Sequence, residues 1–128
     1  MASKYYLNEN NCYVLTFNLQ DENGTAISLA SLGTLFCTQY YYNSELTTSD
    51  SYHLSTINSR YIQNIKNTND VTVSATGTVT WEITKDDTVK LNSSTAQELH
   101  IALITWQWSG KQNSHEFYFY VNKVPYAV

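Results

Sequence analysis

Three histidines are the side chains of this sequence whose ordinary pKa lies closest to neutrality, so they are the first candidates for proton transfer or metal binding. They are His53, His100 and His115. If Trp106 lies opposite His115 in the last predicted hairpin, His100 lies six residues further along its strand. At about 3.3 Å per residue the two histidines are then about 20 Å apart, too far to share a metal ion or a proton. We therefore expect surface or interface histidines.

The acidic residues do not follow the pattern of a calcium-binding loop. Such a loop alternates its oxygen ligands and places a glycine at a sharp turn, and neither feature is present. Asp86 or Asp87 is better explained as the N-cap of a brief helical turn. The sequence therefore predicts no metal site at its acidic residues, which include Asp70, Asp86, Asp87 and Glu98.

The two cysteines, Cys12 and Cys37, lie 25 positions apart. Two ligands do not complete a zinc site, and no histidine is close to either cysteine in sequence. We expect two small buried hydrophobic residues on neighbouring strands. The alternative is a disulfide, because neighbouring strands bring Cα atoms within bonding range.

The sequence lacks the short motifs that carry common chemistry. It contains no G-x-S-x-G, H-E-x-x-H, C-x-x-C or glycine-rich phosphate loop. Together with the separated histidines, this absence predicts that the chain is not an enzyme and uses no cofactor.

The composition favours an all-β protein that binds neither nucleic acid nor a membrane. Charged residues make up 14% of the chain, against about 25% in average soluble domains, and aromatic residues also make up 14%, with 11 tyrosines. Such a composition suits pleated, half-buried strands. A net charge of -4 with 7 Lys+Arg lacks the basic surface that phosphate backbones require. Because no run of 18 apolar residues exists and residues 1–4 precede polar and aromatic residues, we expect no membrane span and no cleavable signal.

Short alternating segments separated by turn residues indicate a sandwich or a barrel, in a single domain over residues 1–128. Residues 43–69 are an irregular polar excursion, in which Tyr61, Ile62 and Ile65 form either a short strand or one helical turn. The predicted strands include 13–19, about 34–42, 71–73, 79–83, 98–108 and 115–122, the last two joined by a turn at 109–112.

The last hairpin is predicted to be apolar on both faces, whichever way its strands pair. An antiparallel sheet with one solvated face alternates between apolar and polar residues, so the second face needs a cover. The cover is either the 43–69 excursion or another protein. On one strand Leu99, Ile101 and Leu103 alternate with Ala102, Ile104, Trp106 and Trp108, and on the other Phe117, Phe119 and Val121 alternate with Tyr118 and Tyr120.

The order of short motifs along the chain carries a family resemblance. An apolar strand at 13–19 precedes 21–29, which resembles a "D-x-x-G-x-x-x-x-L" turn. Residues 76–83 resemble a "G-x-v-x-w-x-i" strand, followed by Asp87-Thr88 and Leu91, and 98–103 with 110–116 resemble a closing hairpin. These motifs are similar to those of small immunoglobulin-like proteins in the particles of tailed bacteriophages, and of the N-terminal module of phage baseplate and tail-fibre proteins. The chain departs from the family at Ser28, where proline is common, and in its longer, more polar 43–69 excursion.

The resemblance implies an all-β, immunoglobulin-like antiparallel β-sandwich of about seven strands. It also implies a non-enzymatic structural component of a tailed-phage virion, a capsid decoration or neck or tail accessory protein. The expected partners are other virion structural proteins, in many copies on a symmetric scaffold. Since exposed tyrosine and tryptophan dominate interfaces, we expect contacts at Tyr40, Tyr41, Tyr42, Trp106, Trp108, Tyr118 and Tyr120, with core burial as the alternative for each.

A second hypothesis is a carbohydrate-binding β-sandwich module. Its aromatic rings would stack on sugars, with Asn, Asp and Gln side chains beside them. The partner is then a glycan.

Overall fold

The computed structural model describes residues 3–42, 54–58, 63–90 and 96–124. Every regular element in these residues is a strand, and none of them belongs to a helix of the length and hydropathy that crossing a bilayer requires. The strands are β1 (Ser3–Asn8), β2 (Tyr13–Asn18), β3 (Leu32–Tyr42), β4 (Leu54–Asn58), β5 (Val71–Val73), β6 (Thr78–Ile83), β7 (Gln97–Trp108) and β8 (Lys111–Asn122).

The strands form two sheets that enclose one core. The first sheet has the order β2-β6-β5 and the second has the order β1-β8-β7-β3-β4. Neighbouring strands are antiparallel except for β1, which runs parallel to β8. In an immunoglobulin-like sandwich, β2, β6 and β5 correspond to strands B, E and D, and β3, β7 and β8 to strands C, F and G. The predicted immunoglobulin-like sandwich is confirmed, with eight described strands where about seven were expected.

One strand departs from the simplest version of this fold. In a constant-type immunoglobulin domain the first strand pairs with the second, in a sheet of strands A, B, E and D. Here β1 pairs instead with β8, with Ser3 opposite Phe117 and Asn8 opposite Asn122. β2 is therefore an edge strand of a three-stranded sheet.

The core consists largely of every second residue along the strands, whose side chains point between the two sheets. Trp81 of β6 is 1% exposed and meets Phe119 of β8 edge-on, with ring centroids 5.8 Å apart. Leu15 and Val79 from one sheet and Ile104 from the other are also buried. A large aromatic pair across the two sheets anchors them to each other, because such rings bury more apolar area than any other side chains.

The β7–β8 hairpin has a tighter turn than predicted. Only Ser109 and Gly110 connect the strands, and both have positive φ, 47° and 76°. Two positive φ values in a two-residue loop give the turn whose twist matches that of the paired strands. β8 therefore begins at Lys111, and the predicted turn at 109–112 was too long.

The register of this hairpin also differs from the one assumed for the histidines. Ile104, and not Trp106, lies opposite His115. The difference follows from the short turn, because each residue removed from a loop shifts the pairing. His100 is then four positions from the row of His115, still about 13 Å along the strand.

The 43–69 excursion is described in part. Its strand β4 pairs with the end of β3, with Ser55 opposite Tyr41. Tyr61 and Ile62 lie outside the described residues. Ile65 is buried outside any strand, and its backbone N–H donates to the Leu35 carbonyl at 2.7 Å.

The two cysteines are both free and lie in different environments. Cys37 on β3 is buried, which raises the pKa of its thiol, while Cys12, just before β2, is exposed. The prediction of a buried hydrophobic residue is confirmed for Cys37 and wrong for Cys12, and the alternative of a disulfide is wrong. The reason is that β2 and β3 belong to opposite sheets and are not neighbours.

Asp87 closes a turn and does not cap a helix. Its Oδ2 accepts hydrogen bonds from the Thr84 backbone N–H at 2.9 Å and from the Thr84 hydroxyl at 3.1 Å. The backbone N–H of Asp87 donates to the Thr84 carbonyl. The prediction of a helix N-cap was wrong, because residues 85–87 form a turn and no helix follows them in the described residues up to 90.

Candidate docking face

The five-stranded sheet presents tyrosines and aliphatic residues on the side that faces away from the core. Two rows cross neighbouring strands there, as the strand registers show. The first row runs from β1 through β8 to β7, and the second runs from β8 through β7 to β3. We name these residues the outer tyrosine face: Tyr6, Tyr120 and Leu99 in the first row, and Tyr118, Ile101 and Tyr40 in the second.

The most exposed ring of this face is Tyr6. It is 67% exposed and stacks on Tyr120, with ring centroids 5.2 Å apart and planes 19° apart. The other members of the outer tyrosine face are half-buried. One ring surface of Tyr6 is used by Tyr120, and the rest is open to solvent.

The centre of the face carries no charge in the described residues, and two charges flank it. Lys4 lies beside Tyr118 on β1, and Glu116 is two residues before Tyr118 on β8. A hydrogen bond to Glu116 is the main cause that raises the pKa of Tyr118, so this phenol stays neutral at physiological pH. A neutral centre loses little solvation energy when a partner covers it.

Three of the predicted contact residues lie on the outer tyrosine face, namely Tyr40, Tyr118 and Tyr120. Tyr41 and Tyr42 end β3, and their side chains lie outside the described residues. Whether the 43–69 excursion or another protein covers this face remains a prediction, because most of the excursion also lies outside them.

The two tryptophans predicted as contacts belong to the core. Trp106 is 6% exposed and Trp108 is 8% exposed. The indole N–H of Trp106 donates to the Gln20 carbonyl at 2.9 Å, which satisfies its polar group inside the sandwich. Their placement on the contact surface was wrong, because both share a strand face with buried Ile104 and not with Ile101.

A buried group of ionisable residues lies at the other end of β7. His100 Nε2 is 2.8 Å from Glu98 Oε2, and Lys90 Nζ is 3.8 Å from Glu98 Oε1. His100 is 1% exposed, so the prediction of a surface histidine was wrong. The physical reason is that Glu98 supplies a hydrogen-bond partner to the buried imidazole, and the Glu98 carboxylate is in turn paired with Lys90. Since the side chains of this group are buried, the group offers no access to a substrate.

His115 lies near the surface at the β1 end of the sheet. Its Nε2 is 3.0 Å from Ser3 Oγ, and its ring meets Phe117 edge-on. Partial burial is the main cause that lowers the pKa of His115. His53 lies outside the described residues. No group of three or more His, Cys, Asp and Glu side chains in the described ranges is arranged to hold a metal ion.

The functional candidate that the sequence missed is Tyr6. No strand was predicted at residues 3–8, and the alternation of Tyr5 and Leu7 with Lys4 and Tyr6 is too short to indicate one. The signal that places Tyr6 is its pairing with Tyr120, 114 residues away in sequence, which no local pattern contains.

Comparison with known proteins gives a distant structural similarity. No protein-family model matches the chain, and no curated protein matches it either. Among solved structures, the chain is similar to a structure from structure-based photo-crosslinking analyses of the multimeric cell-adhesive interactions of VGSC beta subunits. The identity is 14% and the TM-score is 0.40, over 94% of this chain and 91% of that chain. At this level the similarity carries no information about what this chain binds.

Proposed function

We propose that this chain is a non-enzymatic structural component of a tailed-phage virion, which docks through the outer tyrosine face onto a larger scaffold protein of the capsid, neck or tail. The observation that supports docking is the composition of that face. A solvated sheet face would carry polar residues at these positions. Instead the face carries Tyr6, Tyr118 and Tyr120, with Leu99 and Ile101 on the neighbouring strand β7. Tyrosine is enriched in the cores of protein interfaces because its ring is apolar and its hydroxyl remains satisfied at the rim.

The size of the face predicts the strength of the contact. Strands lie about 4.8 Å apart and rise about 3.3 Å per residue, so two rows across four strands cover clearly less than the roughly 800 Å² per partner of a standard interface. We therefore expect a single copy to bind with modest affinity. Many copies on a symmetric scaffold add avidity without any new contact.

The virion as the place of docking is supported by the motif resemblance. Two of its turn glycines, Gly24 and Gly77, have φ of 79° and 88°, so the matching motifs correspond to turns that require glycine. The residues of the outer tyrosine face are not part of those motifs, except Leu99 and Ile101 in the closing hairpin. The geometry thus supports the docking surface, and the resemblance supports its location in a virion.

Particle assembly tests this proposal. The double variant Tyr6→Ser and Tyr120→Ser removes the stacked pair, and we expect its incorporation into particles to fall by about tenfold or more, since interface tyrosines commonly contribute more than about 1 kcal/mol each. The matched control is Val89→Ser, which removes an apolar side chain that is 39% exposed and lies outside the face. Equal incorporation of the double variant, the control and the unchanged chain would refute docking through this face.

A glycan remains the second candidate ligand, and one cleft supports it. A depression of about 380 Å³ at the tip of the β7–β8 hairpin is lined by Gln107, Gln112 and Ser109 among others. Gln107 Nε2 donates to Gln112 Oε1 at 2.8 Å, and Gln107 Oε1 accepts from the Thr34 hydroxyl at 2.9 Å. The Gln112 amide N–H groups can then donate to sugar hydroxyls. A glycan array that gives no saturable binding, or binding that Gln112→Ala leaves unchanged, would exclude this site.

A further inference from the structure

The outer edge of β2 presents unpaired backbone groups. The Leu19 N–H donates to the Gly77 carbonyl at 2.9 Å, in the same register that pairs Tyr13 with Ile83 and Asn18 with Thr78. Because hydrogen-bonding direction alternates along an antiparallel strand, the odd-numbered residues of β2 bond to β6. Val14, Thr16 and Asn18 therefore direct their N–H and carbonyl groups away from the sheet, where no residue of the described ranges pairs with them.

The opposite edge of the same sheet is closed by the chain itself. On β5 the outward N–H of Val71 donates to the Thr68 carbonyl at 3.0 Å. The outward N–H of Val73 donates to Asn67 Oδ1 at 2.8 Å. The loop before β5 thus blocks that edge, and β5 is only 3 residues long. In the described residues, the β5 edge of this sheet is therefore closed and the β2 edge is open.

β2 also lacks the features that usually prevent edge pairing. Natural edge strands carry lysine, proline, a bulge or inward charges, or they are very short. The 6 residues of β2 contain no charged residue and no proline, and their pairing with β6 has no bulge. Val14 on this strand is 67% exposed, and β-branched and aromatic side chains favour the extended conformation.

We propose that the open edge of β2 pairs with the β2 edge of a second copy of this chain, antiparallel about a two-fold axis at Thr16. The two three-stranded sheets then join into one continuous six-stranded sheet. Thr16 faces Thr16 of the second copy, and Val14 faces its Asn18. In this register every outward group of one strand meets an outward group of the other, giving about six hydrogen bonds.

A second copy fits this edge because the strand is complementary to itself. A two-fold axis at Thr16 pairs even-numbered residues with even-numbered residues. These are the residues whose backbone groups do not bond to β6. The strand is neutral, so no like charges meet across the axis. The contact is small compared with the roughly 1,200–2,000 Å² of a stable interface, so monomer and dimer exchange and the dimer forms as the concentration rises.

Site-specific crosslinking tests the register. Facing residues in a hydrogen-bonded pair have Cα atoms about 5.5 Å apart, within the range that a disulfide spans. In a Cys12→Ser background, Thr16→Cys is expected to form a disulfide dimer under mild oxidation. Thr72→Cys is the matched control, because Thr72, Thr80 and Thr16 share one row of the sheet and Thr72 is the exposed threonine on the closed edge. Equal crosslinking of the two variants would overturn the proposal.

The mass in solution gives an independent test. Sedimentation of the unchanged chain is expected to show a reversible monomer–dimer equilibrium, which Thr16→Pro abolishes. Proline there removes an outward N–H and no bond to β6, so the fold is expected to persist, as circular dichroism will show. Thr16→Lys, which adds a charge to the edge, is the second variant should the proline variant fail to fold. A chain that stays monomeric throughout, or a dimer that Tyr6→Ser abolishes and Thr16→Lys leaves intact, contradicts edge pairing.

This inference does not depend on the proposed docking function. Edge pairing uses the three-stranded sheet, and docking uses the outer face of the five-stranded sheet. Thr16→Lys and Tyr6→Ser therefore separate the two experimentally.

Discussion

Tyr6 lies directly opposite Tyr120, and the two rings stack with centroids 5.2 Å apart because β1 pairs in parallel with β8. The same pairing has two consequences. It adds an exposed tyrosine to the outer face of the five-stranded sheet, and it leaves the edge of β2 without the first strand that a constant-type sandwich places there. One choice of strand partner thus creates both candidate interaction surfaces.

The outer tyrosine face is expected to contribute little to the stability of the free chain. Tyr6→Ser should lower the free energy of unfolding by about 1 kcal/mol, the value of one exposed aromatic pair. The comparison is Phe119→Ala, which empties the core beside Trp81 and should cost about 3–5 kcal/mol. Denaturant unfolding measures both. A loss for Tyr6→Ser as large as that for Phe119→Ala would mean that Tyr6 is a structural residue and not a docking residue.

Removing the one carboxylate of the buried Lys90–Glu98–His100 group is expected to lower the stability of the chain strongly. Glu98→Ala removes the buried carboxylate that meets both Lys90 and His100 and should destabilise the chain by about 3–5 kcal/mol. Glu22→Ala is the matched control. It removes the carboxylate of an ion pair with Lys111 at 3.0 Å that is half exposed, and should cost less than about 1 kcal/mol. Similar losses in thermal unfolding for the two variants would contradict the burial argument.

Gly77 is the glycine whose replacement is expected to be most damaging. Its φ is 88°, and a Cβ at this position would lie 1.9 Å from the Ile27 carbonyl oxygen. Gly24 has a similar φ of 79° but open space around it. Gly24→Ala should therefore cost only the roughly 1–2 kcal/mol of the left-handed conformation, and Gly77→Ala clearly more. Equal melting temperatures for the two variants would show that the chain relieves the contact at no cost.

His115 predicts a pH dependence of stability. Because the folded state lowers the pKa of His115 below its ordinary value of 6.5, the unfolded chain binds a proton more readily. The stability that this histidine contributes is complete above pH 6.5 and is lost as the pH falls through 6.5 towards the folded pKa. The stability difference between the unchanged chain and His115→Gln, measured by urea unfolding, should shrink in acid. A difference that grows in acid would mean that folding raises the pKa of His115 instead of lowering it.

Local patterns in the sequence predict the strands that alternate clearly between buried and exposed residues. The alternation at residues 13–19 and 79–83 places Leu15 and Trp81 in the core, and Gly24, within the turn expected at 21–29, has a positive φ. The length of the Ser109-Gly110 turn was misjudged because Lys111 and Gln112 are polar on a strand, as hairpin tips commonly are. That error shifted the register of the histidines.

Along β7, the alternation of positions predicts which side chains are buried better than the residue types do. Ala102, Ile104 and Trp106 were expected on one face, and the same alternation continues to His100 and Glu98. Their polarity suggested the surface, but Lys90, which pairs with the Glu98 carboxylate in the interior, comes from the connection just before β7. The parallel pairing of β1 with β8 is non-local, so the place of Tyr6 follows from no window of sequence.

Amine labelling of intact particles tests the central proposal most directly. Lys4 lies beside Tyr118 at the outer tyrosine face, whereas Lys85 is exposed in the β6–β7 connection. Docking predicts that Lys4 is labelled several times more slowly in the particle than in the free chain, while Lys85 keeps its rate. Labelling of Lys4 at the same rate in the particle and in the free chain would contradict docking through this face.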